Sequence, residues 1–120
     1  MAMHHNLPVY RASYDFLRDF FLFSKHIPKE YKYTVGEKIK NEAVEMTLCI
    51  VEANASREGR KEKIQKGILH LERIRLLMRL LKDTKNISLK SFAQLSLDLE
   101  TASRQLTGWK NYQQNGQSRE

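Results

Sequence analysis

The sequence predicts an all-α protein that folds as an antiparallel up-down four-helix bundle. Three observations support this fold class. Apolar residues recur at spacings of three and four along four separate segments, and this is the period of one helical face. The 120 residues include only two prolines and five glycines, which is few for a chain built on many turns. The breaks between the segments are short, and short connections join antiparallel neighbours in a bundle.

The first predicted helix covers about residues 8–26. Pro8 suits a first helical position, and Pro28 disfavours helix at the residue before it. An apolar stripe with steps of four, three and four is predicted to face the core, and three further aromatic residues widen it. The stripe consists of Tyr10, Tyr14, Leu17 and Phe21, and the widening residues are Phe16, Phe20 and Phe23.

The next two predicted helices cover about residues 34–56 and 58–84. The second begins at Thr34-Val35-Gly36-Glu37, which fits a capping box, where the threonine and glutamate side chains satisfy backbone N–H groups reciprocally. Each of these helices has one apolar face that is predicted to point inward. These faces are Ile39, Ala43, Met46, Ile50 and Ala53, and then Ile64, Ile68, Leu71, Ile74, Met78 and Leu81.

The fourth predicted helix covers about residues 88–111 and begins after a Ser88 cap. Its apolar residues alternate steps of three and four and form a heptad seam: Phe92, Leu95, Leu99, Ala102, Leu106 and Trp109. We expect this seam to be core and not a stacking platform for nucleic-acid bases, although its two aromatic rings could stack. Residues 1–112 therefore form one bundle domain, and the polar residues 113–120 are predicted to be a disordered tail.

The second and third predicted helices carry more apolar surface than one bundle core uses. At about 100° per residue, their second stripes point well away from the core faces. One explanation is a wide arc that faces the core. The other is contact between subunits, because contiguous exposed apolar patches mark interfaces, and we favour this homo-oligomer. The stripes are Val44, Leu48, Val51 and Ala55, and then Leu69, Leu76 and Leu80.

The sequence has no signal for secretion or for a membrane. The single Cys49 has no internal disulfide partner, and residues 1–20 lack the pattern of a secretory signal. The longest strongly apolar stretch, residues 76–81, contains Arg79 and is far shorter than the roughly 20 residues that span a bilayer. We therefore expect a cytoplasmic protein.

No group of residues predicts catalysis, a metal or a cofactor. His70 stands alone, and Cys49 is predicted to be a buried structural thiol. Residues 57–60 contain one glycine between charged residues and do not form a phosphate-binding loop. The carboxylates of the second helix look like solvated positions, not a catalytic pair: Glu42, Glu45 and Glu52. We expect no enzymatic activity, since a hydrolase would need a site assembled from scattered residues.

The strongest functional signal is the distribution of positive charge. The net charge is +7, and residues 57–85 hold ten basic and four acidic residues, a net charge of +6. Arg75, Arg79 and Lys82 are spaced by four and three and form one ridge, and Arg57 and Lys61 are predicted to point the same way. Guanidinium groups bind phosphates and carboxylates in bidentate geometry. A solvated face without a partner is the alternative, but such faces normally mix both signs of charge.

The candidate binding residues, for nucleic acid or for an acidic protein partner, follow from this distribution. They are Arg75, Arg79, Lys82, Arg57, Lys61 and Arg73.

Five segments of the chain resemble the accessory variability determinant (Avd) proteins of diversity-generating retroelements. The resemblance runs from about Leu7 to Trp109, and the stretch from Pro28 to Glu37 is its most specific part. The segments are Leu7-Pro8-Val9-Tyr10-Arg11-Ala12-Ser13-Tyr14, Ile27-Pro28-Lys29-Glu30-Tyr31-Lys32-Tyr33-Thr34-Val35-Gly36-Glu37-Lys38, Glu52-Ala53-Asn54-Ala55, Ile87-Ser88-Leu89-Lys90 and Leu106-Thr107-Gly108-Trp109.

This resemblance implies a four-helix bundle, encoded by a bacterium or phage, that assembles as a pentameric barrel. It also implies that the protein binds nucleic acid and associates with the retroelement's reverse transcriptase during mutagenic copying of a template RNA. A looser resemblance is to the four-helix-bundle proteins of 23S ribosomal RNA intervening sequences, which would imply a self-associating scaffold without a nucleic-acid role. The run Cys49-Ile50-Val51-Glu52-Ala53-Asn54 departs from the Asn-Ile-Ala-Glu-Gly-like run of that group.

Overall fold

Four long helices make up the computed structural model, which describes residues 7–119 and the side chains of residues 7–113. The predicted fold class is confirmed, because these residues form helices and no strand. A short helix and a π-helical segment lead into the second long helix. In chain order the elements are α1 (Pro8–Ser24), α2 (Lys29–Tyr31), the π-helical segment (Lys32–Gly36), α3 (Glu37–Ala55), α4 (Arg60–Asp83) and α5 (Leu89–Arg119).

The long helices pack as a square in the order α1, α3, α4, α5. Each packs against the next, and α5 closes the square against α1. The helices interdigitate around large side chains that are fully buried, one from each helix being Phe16, Ile39, Ile74 and Leu106. The α1–α2 and α4–α5 connections lie at one end of the bundle, where buried Ile27 and Ile87 close the core. The α3–α4 connection lies at the other end.

The core faces predicted for α3, α4 and α5 are confirmed. Every predicted core residue of α3 is buried, and on α4 only Ile68 is half-buried. The heptad seam of α5 is buried along its centre, while Phe92 and Trp109 at its ends are partly buried against the core. The spacing of apolar residues thus predicted these three faces correctly.

The predicted core face of α1 is confirmed only in part, because its widening residues Phe16 and Phe20 are buried but two residues of its stripe are not. Val9, Ala12, Ser13, Phe16 and Phe20 are the buried residues of this helix up to position 20, whereas Tyr14 and Phe21 of the predicted stripe are each more than two-fifths exposed. The hydroxyl of Ser13 forms a buried hydrogen bond of 2.7 Å with the hydroxyl of Thr47 on α3. The small residue Ala12 and the polar residue Ser13 therefore occupy core positions of α1, and Ser13 does so where α1 approaches α3.

The capping box predicted at Thr34 is also wrong. The helical path begins six residues earlier, at the Pro28 cap, where the N–H groups of Tyr31 and Lys32 donate to the carbonyl oxygen of Pro28. The hydroxyl of Thr34 donates to the carbonyl oxygen of Glu30 at 2.9 Å and caps no helix.

The helix α4 begins at Arg60, two residues after the predicted start at about residue 58. Gly59 precedes α4 with a φ of +71°, a backbone conformation that favours glycine. The Arg60 guanidinium donates to the carbonyl oxygen of Ala53 at 2.7 Å and so satisfies the end of α3. Arg57 consequently lies in the connection, outside α4.

The α4–α5 connection confirms the Ser88 cap, whose hydroxyl accepts the N–H of Ser91 at 3.1 Å. The helix α4 ends just before Lys85, which has a φ of +61°. The N–H group of Asn86 donates to the carbonyl oxygen of Leu81 and so caps the last turn. The helix α5 continues to Arg119, through most of the tail that was predicted to be disordered. Glu120 lies outside the described residues.

Candidate functional site

The predicted ridge of Arg75, Arg79 and Lys82 lies on one flank of an exposed leucine strip of α4, and other basic residues of this helix lie on the opposite flank. This strip, spaced by seven and four residues, is Leu69, Leu76 and Leu80. On one flank Arg75, Arg79 and Lys82 line the α4/α5 groove, a depression of about 480 Å³. On the other flank Lys63, Lys66 and Arg73 line the α3/α4 groove, of about 440 Å³. Of the predicted binding residues, Arg73 is therefore separated from the others by the strip.

Arg75 is occupied by contacts within the chain. Its guanidinium donates to both carboxylate oxygens of Glu100 on α5, at 2.8 and 2.6 Å, and to the hydroxyl of Ser103 at 2.9 Å. The remaining nitrogen donates to Glu72. The bond to Arg75 lowers the pKa of Glu100, and the same bond raises that of Arg75. Each nitrogen of this guanidinium has a partner, so Arg75 joins α4 to α5.

Arg79 and Lys82 remain at the surface of the α4/α5 groove. Arg79 is 78% exposed, and its nearest acid is Asp83 at 3.5 Å. The Nζ atom of Lys82 lies 5.0 Å from the centroid of the Phe92 ring, a cation–π arrangement that places the charge over an apolar floor. These two cations are available to an anionic partner. Arg79 has only the exposed Asp83 beside it, and Lys82 forms no ion pair among the described residues.

Further lysines extend this surface at the end of the bundle. Lys85 in the α4–α5 connection and Lys90 in the first turn of α5 are exposed, and neither has an acidic partner in the part of the chain that the structure describes. We call Arg79, Lys82, Lys85 and Lys90 the basic end. Sequence analysis missed Lys90, because it belongs to the next helix, on the other side of the α4–α5 connection from Lys82.

The predicted extension of the ridge to Arg57 and Lys61 is not continuous with the basic end. Arg57 lies in the connection before α4, so helical spacing does not set its direction. Lys61 is fourteen residues before Arg75, which is about 21 Å along a helix. Neither residue forms an ion pair with the described residues, and both lie at the end of the bundle opposite the basic end.

Buried Glu42 and half-buried His70 form a pair between α3 and α4 that the sequence did not predict. Glu42 is buried and not solvated, and its Oε2 atom lies 2.5 Å from the Nδ1 atom of His70 on α4. Its other oxygen lies 3.7 Å from Arg73 and 3.9 Å from Lys38. The two predictions, a solvated Glu42 and a solitary His70, are therefore wrong, because packing of α3 against α4 brings the residues together. The contact with Glu42 also means that Arg73, a predicted binding residue, has an acidic partner within the chain.

The thiol of Cys49 is buried beside this pair, as predicted. Burial raises its pKa, which disfavours the thiolate form that reacts and binds metals. No group of three or more metal-binding side chains occurs in residues 7–113. Within the described residues, no helix combines the length and the apolarity that a membrane-spanning segment requires.

Asp98 on α5 meets Asp19 on α1 at the α1/α5 contact. The Oδ2 atom of Asp98 is buried and has no hydrogen-bond partner among the described residues. Burial, and then the neighbouring carboxyl group of Asp19, raise the pKa of Asp98 to about 6. The Nε atom of Arg18 lies 3.1 Å from the Oδ1 atom of Asp19. The positive charge of Arg18 therefore offsets the negative charge of the Asp19–Asp98 pair only in part.

This carboxyl pair predicts a pH dependence of stability. The folded protein holds the Asp98 proton more tightly than the unfolded chain, so the free energy of unfolding should fall as pH rises from about 4 to about 7. We expect Asp98→Asn to stabilise the protein by about 1 kcal/mol at neutral pH, after allowing for solvent screening, and to have little effect near pH 4. Urea unfolding of both proteins across this range checks it, and parallel pH profiles would contradict it.

The family of the chain follows from its sequence and not from the geometry of the bundle. A family model described as bAvd-like matches residues 9–113. The chain belongs to the bAvd-like family. This confirms the resemblance to Avd proteins, and the bAvd-like family is a family of accessory proteins. No curated protein matches the chain.

The match covers all four long helices of this bAvd-like protein except Pro8 and the last residues of α5. It therefore includes the α4/α5 groove, the basic end and the leucine strip, which are the exposed surfaces with a distinctive composition.

Proposed function

We propose that this protein is a non-enzymatic accessory protein of a diversity-generating retroelement. In this proposal it binds the template or spacer RNA, or another nucleic acid, and associates with the reverse transcriptase during mutagenic retrohoming in the bacterial cytoplasm. The single observation that carries the proposal is the bAvd-like match over residues 9–113. The basic end supports it as the surface for an anionic partner.

Uncompensated positive charge at the basic end favours RNA as the partner. The basic end has four cations and one nearby acid, Asp83, at the surface of a protein with a net charge of +7. Phosphate groups accept bonds from guanidinium and ammonium groups without a requirement for base sequence. We therefore assign RNA phosphates to Arg79, Lys82, Lys85 and Lys90, and assign Arg75 the role of holding α4 to α5.

The same groove supports an alternative partner for these cations. Met78, Phe92 and Leu99 give it an apolar floor beside Arg79 and Lys82. Apolar side chains and carboxylates of the reverse transcriptase would fit such a lining, so the basic end would then bind protein and not RNA. We favour RNA, because Lys85 and Lys90 extend the charge beyond the groove.

Self-association forms part of the proposal. The exposed leucines of α3 and α4 in the single chain favour a homo-oligomer over the wide core-facing arc, which would have buried them. The resemblance to Avd proteins implies a pentameric barrel. Several copies in one assembly would present several basic ends to one RNA and raise its apparent affinity.

The test is the salt dependence of binding to a single-stranded RNA of mixed sequence. Each neutralised phosphate adds about 0.7 to the slope of log affinity against log salt, so one basic end should give a slope near 3. Fluorescence anisotropy across a salt series measures it. An oligomeric protein that binds no RNA at low salt would contradict the proposal and favour the scaffold function. A neighbouring reverse-transcriptase gene with two near-identical repeats that differ mainly at adenines would support it independently.

A further inference from the structure

The α4/α5 groove contains a carboxylate among its cations. Arg75, Arg79 and Lys82 line this groove from α4, and Glu100 lines it from α5. Arg75 lies one helical turn before Arg79, which is about 6 Å along the helix. An RNA strand that continues along the groove from Lys82 past Arg79 would therefore reach Arg75. The acid from the neighbouring helix is what distinguishes Arg75 from the other two cations.

The contact between Arg75 and Glu100 has the geometry of a phosphate contact. The Nε atom and one terminal nitrogen of the guanidinium donate to the two carboxylate oxygens, at 2.8 and 2.6 Å. A phosphodiester also presents two charged oxygens, and a guanidinium fork binds either group in this bidentate manner. Glu100 therefore occupies the N–H groups with which Arg75 would bind a phosphate.

The bundle does not depend on this ion pair. The side chains of Arg75 and Glu100 are 34% and 45% exposed, and pairs at such exposure add little net stability, because water solvates both charges when they separate. Beside them, Met78 on α4 and Leu99 on α5 are each only 2% exposed. Apolar packing of this kind contributes most of the contact between the two helices. The pair can therefore be broken without loss of the fold.

The other acid beside the groove arginines makes a different contact. Asp83 lies 3.5 Å from the Nε atom of Arg79, and both side chains are more than half exposed. Arg79 thus keeps free N–H groups, whereas Glu100, Glu72 and Ser103 occupy Arg75. The bond to Arg75 also lowers the pKa of Glu100, so this carboxylate stays charged at neutral pH.

We propose that Glu100 is an autoinhibitory carboxylate, which occupies the Arg75 guanidinium in place of an RNA phosphate and so limits the affinity of the α4/α5 groove for RNA. The inference rests on the proposed function and adds how its binding surface is regulated. With Glu100 in place, the groove offers RNA the two cations Arg79 and Lys82. Without the carboxylate, Arg75 becomes the third.

The experiment removes the carboxylate charge with Glu100→Gln, which keeps the size of the side chain. Binding to a single-stranded RNA of mixed sequence is measured by fluorescence anisotropy across a salt series. We expect the affinity to rise about threefold to tenfold, because one further charge-assisted contact forms. The slope of log affinity against log salt should steepen by about 0.7, the contribution of one further phosphate. A pair that only joined the helices would give no such gain.

Two controls separate this effect from a general change of charge. In an Arg75→Gln background, Glu100→Gln should change the affinity less than about twofold, because only a charge effect screened by salt remains. Glu72→Gln makes the same charge change beside the same guanidinium but leaves both bonds to Glu100 intact. Its gain in affinity should therefore be smaller than that of Glu100→Gln.

Circular dichroism must show that every variant is folded. Glu100→Asp replaces Glu100→Gln if the latter unfolds, since the shorter side chain breaks the bidentate contact at constant net charge and should raise the affinity at least about twofold. Unchanged affinity, or an equal gain without Arg75 or from Glu72→Gln, overturns the inference while the proposed RNA binding survives. A wild-type protein that binds no RNA overturns the proposed function itself.

Discussion

Phe20→Ala is expected to lower the free energy of unfolding by about 3–5 kcal/mol. The Phe20 ring is fully buried between Phe16 and Phe23, with ring centroids 5.9 and 6.0 Å away. Truncation removes its apolar area from the core and leaves a cavity, because helices held by neighbours on both sides collapse only in part. Core truncations of this size are among the largest effects of single substitutions.

Phe21→Ala is the matched control, since it removes the same atoms from the next position. Phe21 is 46% exposed, so its truncation should lower the free energy of unfolding by about 1 kcal/mol or less. Both changes are made in the Leu76→Glu background, so that contact between copies does not add to the stability, and are measured by urea unfolding. Equal effects of the two changes would show that the buried face of α1 is assigned wrongly.

This pair of residues also shows why spacing failed to predict the buried face of α1. Phenylalanines and tyrosines surround most of the helix, so several stripes satisfy the helical period equally well. The buried face includes Ser13 and Ala12, which count as weak or polar positions in a sequence pattern. Only the partner helix distinguishes the stripes, because its Thr47 hydroxyl forms a buried hydrogen bond with Ser13.

The faces of α3, α4 and α5 could be predicted because apolar residues dominate one side of each helix. The α5 seam has no competing stripe, and its burial follows from the steps of three and four alone. On α3 and α4 a second stripe exists, and the sequence separated it correctly from the core face. Periodicity is therefore a sufficient guide where the two sides of a helix differ strongly in polarity.

The candidate site was harder to predict, because its chemistry depends on pairs of residues from different helices. Spacing along α4 correctly placed Arg75 beside Arg79 and Lys82, but Glu100, which neutralises Arg75, is twenty-five residues away. The same holds for His70 and Glu42, which are twenty-eight residues apart. A charge on one helix is available to a partner only if no neighbouring helix supplies an acid, and a pattern along one helix contains no such information.

The final prediction assigns the RNA contacts among the cations that remain available. Arg79→Gln together with Lys82→Gln removes two charges from the basic end while keeping apolar stems of similar length. We expect affinity for single-stranded RNA to fall at least about tenfold, because two charge-assisted contacts contribute more than about 1.4 kcal/mol. The slope of log affinity against log salt should flatten by about 1.4, since each lost phosphate contact contributes about 0.7.

Arg57→Gln together with Lys61→Gln is the matched control, with the same charge change at the far end of the bundle. It should reduce affinity less than the first double variant does, and Arg75 stays intact in both because its loss would separate α4 from Glu100. Binding to the reverse transcriptase is measured on the same folded, oligomeric proteins. If the Arg79/Lys82 double variant no longer bound the reverse transcriptase but kept its affinity for RNA, the basic end would be the binding surface for the protein partner and not for RNA. Unchanged binding of both would remove the basic end from the mechanism.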